Sequence, residues 1–498
     1  MPREDWELYL LDTGVGVETR LTYEIQHDHT PRFLGNDRLL GIIGENRHRR
    51  SYIYDVATGH RRRLFHNNTL RTLSMEHAWT PSPDGRRVLI VADRDGDTIS
   101  PERGVYLLDL TATVTRQEVL NRLGRMMAAE RDLRERGRRM FAPMTAQVQE
   151  AVRDISVRRV YEHERALVSF GSKFMTQPGN RRAAEYIHNA LAAMGYKPEY
   201  QYFEARSGAN SLQTANVIAT LRGTSSPDVE YLLSSHFDSV AAGPGADDNT
   251  SGSAALLEAA RVLRTRPMAA TIRFIWFTGE EAGLLGSREY VRQAVARGDR
   301  VVGALNNDMV GFANDHRLDD TIRYANVGLR DLQHAAAFLF TDLVTYDSRY
   351  YRSTDADSFV EAYGEIVSGI GSYPILGNPH YHQAHDLLDT VNFTLVAEVA
   401  KATTASIMLM ASSPSPVKDA RAVSRGNDAD VSWAASPERD ASSYLVRHWA
   451  KGVASPADAK STAPRITLRG ARPGDTVWIA AVNARGLIGW DWAKVTVK

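Results

Sequence analysis

The sequence predicts a multidomain protein. An α/β/α domain on a central mixed, mostly parallel sheet is flanked by an all-β, propeller-like N-terminal region and a C-terminal β-sandwich. Three observations carry this prediction. Apolar strand-length runs alternate with amphipathic helices between residues 166 and 412. A Tyr-x-x-Asp signature recurs three times before residue 113, and residues 417–498 alternate in the strand period. A chain of 498 residues also exceeds the roughly 250 to 300 at which a single core stops growing.

In the N-terminal region the signature copies are Tyr9-Leu-Leu-Asp12, Tyr52-Ile-Tyr-Asp55 and Tyr106-Leu-Leu-Asp109. The steps between the aspartates are 43 and 54 residues, close to the length of a propeller blade. Between the second and third copies, Pro81-Ser-Pro-Asp84-Gly85 precedes an apolar strand, a hairpin signal. Residues 1–113 hold about two blades, whereas a closed propeller needs about four or more. The chain begins inside a blade, so further blades, and an export signal, are expected upstream of Met1. Residues 114–165 are charged and helical in pattern and read as a linker.

The α/β domain spans residues 166–412. Ile187, Leu191 and Met194 fall at helical spacing, with Gly195 where a C-cap glycine belongs. The expected strands are Ala215–Leu221, Glu230–Ser235, Thr271–Thr278, Val301–Asn306 and Glu365–Ile370, with a helix over Ser253–Leu263. Ligands of such sheets bind beyond the carboxyl ends of the strands. The run Ser412-Ser-Pro-Ser-Pro416 reads as a linker. Beyond it, Val431-Ser-Trp433, Tyr444-Leu-Val446 and Val477 to Asn483 fit a seven-strand sandwich.

Composition narrows the function classes. Lys+Arg and Asp+Glu balance at 60 each, so no global field favours nucleic acid or an anionic membrane. The Arg-rich stretch from Arg131 to Arg139 reads as a solvated helix face. The absence of cysteine excludes disulfides, thiolate nucleophiles and Cys-ligated zinc. Met1-Pro-Arg-Glu-Asp-Trp6 has no apolar core of a signal peptide, and no uninterrupted apolar run approaches the roughly 20 residues of a membrane span.

The chemistry concentrates in five segments: His236-Phe-Asp238, Ala246-Asp247-Asp248-Asn249, Gly279-Glu280-Glu281, Asn307-Asp308 and Tyr381-His382. Singly, each has an ordinary explanation as a surface pair, a helix N-terminus, a solvated turn, a cap or a loop histidine. Gathered at strand ends of one domain, they fit a two-metal hydrolase centre. Such a centre needs oxygen and imidazole ligands, one bridging carboxylate and a free carboxylate as base. Glu280 and Glu281 are adjacent in extended chain and point apart, so one can bind metal while the other faces water.

These segments resemble the zinc-dependent exopeptidase family that includes bacterial leucyl aminopeptidases, glutamate carboxypeptidases and the glutaminyl cyclases, over roughly residues 160–412. The stretches that carry the likeness are His236-Phe-Asp-Ser-Val240, Gly245-Ala-Asp-Asp-Asn-Thr-Ser-Gly252, Phe277 to Ser287, Asn307-Asp-Met-Val-Gly311 and Tyr381 to Asp386. The resemblance implies two Zn2+ ions, with His236 and Asp308 on one, Glu281 and His382 on the other, and Asp248 bridging both. It implies Glu280 as general base, Tyr381 as oxyanion donor and Asp238 as the partner that orients the histidine ligand. Arg352-Ser353-Thr354-Asp355 loosely resembles the family's Arg-Ser-Asp segment with one residue inserted, and no role is assigned there.

The implied activity is removal of N-terminal residues from peptides or proteins. The alternatives are a carboxypeptidase or dipeptidase, a glutaminyl cyclase, or a non-catalytic binding relative. The Ser-Pro-Asp-Gly turn resembles TolB-like propellers, and Trp433, Pro473-Gly474 and Ala481 to Gly486 resemble a fibronectin type III domain, although Val477 stands where a tyrosine is expected. These flanking domains offer contacts to polymers or proteins. Relatives with such accessory domains are commonly exported, so an extracytoplasmic location is expected.

Overall fold

Eight strands form the central sheet: β1 (Glu199–Ser207), β2 (Asn210–Leu221), β3 (Ser226–His236), β4 (Ala270–Phe277), β5 (Val301–Asn306), β6 (Asp319–Tyr324), β7 (Val344–Ser348) and β8 (Val367–Ser372). They lie in the order β1-β2-β4-β3-β5-β8-β6-β7. The β3-β4, β3-β5, β5-β8 and β6-β7 pairs are parallel; β1-β2, β2-β4 and β8-β6 are antiparallel. The computed structural model describes residues 7–498 apart from 23–27, 44–49, 64–75, 94–102, 114, 208–209, 314–316, 374–377 and 454.

Strand periodicity divides the side chains between two helical layers. Tyr231 and Leu233 of β3, with Ile272, Phe274 and Trp276 of β4, enter a large core built with helices Pro178–Ala193, Gly252–Leu263, Val327–Phe340 and Phe393–Met410. Leu232, Ile275 and Phe277 face the opposite layer, where helices Leu285–Arg297 and Ala356–Tyr363 supply Tyr290, Val291 and Phe359. Burial on both faces explains why β3 to β5 read as nearly continuous apolar runs. Helix Phe393–Met410 is long and apolar enough to cross a membrane, yet 83% of it is buried inside this core.

Two segments expected as connectors are packed instead. Helices Thr145–Arg153 and Val157–Val168, inside the stretch expected as a linker, bury Val148, Val152, Val160 and Leu167 in the large core. Phe141 meets Phe340 edge-on at 5.0 Å, and a side chain at Gly137 would strike Ala335 at 2.6 Å. Only the first turns of helix Arg116–Phe141 stand clear, with Val119, Leu120, Leu123 and Met127 exposed. Ser412, Ser413 and Ser415 are buried too, held by the Asn483 amide on the Ser412 carbonyl and by Glu438, which accepts from Ser415 N.

The strands beyond residue 417 form antiparallel sheets of three and four strands that share one core of Val431, Trp433, Tyr444, Val446, Val477 and Ile479. This unit is fastened to the α/β domain by Trp490, whose indole donates to the Tyr231 hydroxyl at 2.8 Å. At the other end, described residues before 110 form antiparallel sheets of two, four and three strands. Asp12, Asp55 and Asp109 close strands by accepting the N–H groups of Gly14, Thr58 and Thr111 at 2.8 to 2.9 Å, which gives the recurring aspartate its physical reason. Glu76–Pro81 and Arg87–Asp93 pair across the Asp-Gly turn, where Gly85 takes φ +66°.

Candidate metal centre

The site forms where three neighbouring parallel strands end. His236 is the last residue of β3. Glu280 and Glu281 follow β4 after Gly279, whose φ of +73° turns the chain over the sheet edge, and Asp308 follows β5 by two residues. The turn Ala246–Ser251 brings Asp248 in from the side. Asn249 fixes that turn: its amide donates to Ser235 Oγ and the Asn307 carbonyl, and its oxygen accepts from Gly252 N and Met309 N. A side chain at Gly252 would lie 2.4 Å from that oxygen, so glycine is required there. The loop carrying Tyr381 and His382 folds over the strand ends.

The five residues predicted as ligands come together in two groups that share Asp248: His236, Asp248 and Asp308, and Asp248, Glu281 and His382. His236 Nε2 lies 3.3 Å from Asp248 Oδ1 and 3.4 Å from Asp308 Oδ1. His382 Nε2 lies 3.3 Å from Asp248 Oδ2 and 3.1 Å from Glu281 Oε2. Ligands about 2.0 to 2.1 Å from a tetrahedral zinc stand about 3.3 to 3.4 Å from each other. These separations therefore fit one ion per group, with one oxygen of Asp248 directed to each. Glu281 Oε1 and Asp308 Oδ1 are buried without a hydrogen-bond donor, as atoms reserved for a cation would be.

Asp238 lies beside the imidazole it is expected to orient. Its Oδ1 is 3.4 Å from His236 Nδ1, and its carboxylate also accepts from Glu280 N at 3.3 Å and Glu281 N at 3.4 Å. One buried carboxylate thus faces the imidazole and holds the backbone that carries both glutamates. Asp247 acts elsewhere. It accepts from Gly311 N, from the Asn378 amide and from Ser251 Oγ, and so holds the loop after β5.

Crowded acids shape the electrostatics. Burial pushes the Glu280 carboxyl well above its usual range; the His236 charge opposes this and the Glu281 charge adds to it. Burial and the Asp248 charge push Glu281 up to about 7. Burial opposes ionisation of Asp248, but hydrogen bonds from His236 and His382 hold its carboxyl below the usual range. So many acids in one buried space call for added positive charge, which bound divalent ions would supply while driving the carboxylates to their ionised form. Burial, with the Asp248 and Glu281 charges, pushes the Tyr381 phenol up, so it stays a proton donor. The site opens into a cavity of about 310 Å³ that Glu280, Tyr381 and the ligands line.

The sequence alone assigns no role to Asp386 or Lys173. Asp386 Oδ1 accepts from Asp247 N at 2.9 Å and Oδ2 accepts from Asp248 N at 3.0 Å, clamping the backbone of the shared ligand. The spacing of four residues after His382 hints at it, but its partner is remote in sequence. Lys173 is fully buried behind the same turn and donates to the Pro244 carbonyl. Asp386→Ala leaves two buried N–H groups without acceptors. We expect a loss of about 1 to 3 kcal/mol in stability and about tenfold or more in zinc affinity, read by chemical denaturation and by competition with a chelator.

Residues 216–407 match the profile of Peptidase family M28. The chain is 30% identical over 360 residues to a "Probable zinc metalloprotease" of Pyricularia oryzae, covering 58% of this chain and 71% of that one. It is 27% identical over 252 residues to a "Probable leucine aminopeptidase" of Trichophyton verrucosum, covering 47% of this chain and 66% of that one. Among solved structures it is similar to the LapA aminopeptidase of Legionella pneumophila, with a TM-score of 0.48, 21% identity, and coverage of 54% of this chain and 75% of that chain. The matched stretch runs from β2 to the helix after His382 and so contains both ligand groups: the chain belongs to peptidase family M28.

Proposed function

We propose that the protein is an aminopeptidase that uses two zinc ions to hydrolyse the N-terminal residue from peptides. The observation that carries this reading is the sharing of Asp248 between two ligand groups at zinc-like spacing, with the non-ligand carboxylate Glu280 in the same cavity. When bound, the ions would acidify water and polarise the scissile carbonyl. The chain supplies the rest. Glu280 takes a proton from the attacking water and returns it to the leaving amine. The Tyr381 phenol donates to the oxygen that gains charge. Asp238 keeps the His236 ring in register. Relatives named leucine aminopeptidase support this choice of reaction. The test is a panel of free-amine and N-blocked peptides assayed together with zinc analysis. Cleavage confined to free-amine peptides, at two zinc per chain, is the expected result, and equal cleavage of blocked peptides would reject the reading.

The flanking units read as accessory domains that shield or position the centre. The N-terminal sheets support a reading as propeller blades, and the two sheets beyond residue 417 support one as a fibronectin type III-like sandwich. An extracytoplasmic location belongs to the same proposal. Fractionation of the producing cells tests it: activity outside the cytoplasm is expected, and recovery in the cytosol alone would reject it.

A further inference from the structure

Lys173 lies between helices Val157–Val168 and Pro178–Ala193 and is fully buried. Its backbone is tied to two strand ends that carry the metal centre. The Lys173 N–H donates to Ser239 Oγ at 2.9 Å, just beyond His236 and Asp238. The Lys173 carbonyl accepts from the Asn180 amide at 2.8 Å. That amide also donates to Thr278 Oγ1 at 2.8 Å, immediately before Gly279 and Glu280. The side chain thus extends from a fixed base, and its ammonium donates to the Pro244 carbonyl.

Pro244 stands between two glycines, each pressed against a segment that carries a ligand. A Cβ at Gly243 would lie 2.7 Å from the carbonyl oxygen of Gln383, the residue after His382. A Cβ at Gly245, whose φ is +59°, would lie 2.0 Å from the Asp248 carbonyl oxygen. Ser239 Oγ donates to the Gly243 carbonyl at 2.9 Å, and Ala246 N donates to the Asp386 carbonyl at 3.2 Å. The Asp248 turn and the His382 loop therefore meet where Lys173 holds the chain. A neutral side chain would fill this space at lower cost, because a buried ammonium is expensive. The cation has reason to be there: Asp386, Asp238, Asp248 and Glu164 all face it. Burial holds its pKa down to about 8 while those acids pull upward.

The two ligand groups do not lean on this contact equally. In the group of His236, Asp248 and Asp308, two ligands come from strand ends and only Asp248 from the turn. In the group of Asp248, Glu281 and His382, only Glu281 follows a strand, and the other two come from the segments that meet beside Pro244. We propose that Lys173 is a positioning residue whose hold on Pro244 keeps the Asp248 turn and the His382 loop in register, so that the group of Asp248, Glu281 and His382 retains its zinc. This inference rests on the two-zinc reading, and the experiment separates the two.

The full chain is compared with Lys173→Met, which keeps a long side chain without donor or charge, and with Lys173→Arg, which keeps both. In the metal-free proteins, amide hydrogen exchange over residues 243–248 and 378–386 should be about tenfold faster in Lys173→Met, with the rest of the α/β domain unchanged, as loss of a hydrogen bond from a charged donor implies. Under competition with a chelator, one zinc should stay near its wild-type affinity and the other should weaken by about tenfold or more. Lys173→Arg should restore part of both effects. His382→Ala already disables the dependent group, so adding Lys173→Met to it should cost the remaining zinc little. Ser239→Ala, which frees the Lys173 N–H and the Gly243 carbonyl, is carried alongside and should show the same local pattern even if Lys173→Met does not fold. Faster exchange confined to the two segments, in a protein whose wild type never holds a second zinc, would reject the two-zinc reading and leave Lys173 assigned. The inference is overturned if exchange rises throughout the domain or nowhere, or if both ions weaken alike, which would make Lys173 a core residue only.

Discussion

Glu280→Gln should lower turnover by about 10² to 10⁴-fold while zinc content stays at the wild-type level, because a positioned general base contributes about that much. Glutamine keeps the size of the side chain and its place beyond Gly279, but its amide cannot accept a proton at neutral pH. Glu280 belongs to neither ligand group, so metal retention is expected. The two neighbouring glutamates should therefore separate cleanly. Glu281→Gln, which alters a ligand whose Oε2 is 3.1 Å from His382 Nε2, should shed metal as well as activity. Zinc analysis beside single-turnover rates checks the pair. Wild-type turnover in Glu280→Gln would remove it as the base, and loss of zinc in that variant would make it a ligand.

The contrast between these adjacent residues shows how far the sequence is legible by itself. Strands β3 to β5 are buried on both faces, so their apolar runs announce them, and the acids and imidazole at their ends can be placed at a sheet edge. The strands on the far side of the sheet are harder. β6 reads Asp319-Asp-Thr-Ile-Arg-Tyr324 and β7 reads Val344-Thr-Tyr-Asp-Ser348, polar sequences whose alternation is limited to Ile322 with Tyr324 and Val344 with Tyr346, yet every residue of β6 is buried. Tertiary contacts set their conformation against local preference. The helices over 145–168 read as a linker for a related reason: their apolar stripes are narrow, and only the facing helices reveal them as core. Asp386 is invisible as a site residue because it acts on a partner far away in sequence. The ligands are legible because their chemistry is rare at strand ends, whereas the groups that hold them use ordinary residues.

Asp248→Ala should abolish zinc-dependent stabilisation and lower metal content at both positions, whereas His382→Ala and Asp308→Ala should each affect one. The reason is geometric. Asp248 faces His236 through Oδ1 and His382 through Oδ2, both at 3.3 Å, so its removal takes a ligand from each group. A protein whose folded state binds zinc gains about 2.7 kcal/mol when free zinc is a hundredfold above its Kd, and its melting temperature rises accordingly. Wild type should show this rise on zinc addition and lose it with chelator, along with activity. Asp248→Ala should melt at the same temperature with or without zinc. The metal-free variant is a separate matter: losing Asp248 also removes a charge that raises the pKa of Glu281, while it leaves His236 and His382 with one acidic partner fewer. Those changes oppose each other, so the zinc-dependent shift, not the melting temperature itself, is the quantity to compare. A full shift in Asp248→Ala with zinc bound at both positions would show that the two groups do not depend on a shared carboxylate.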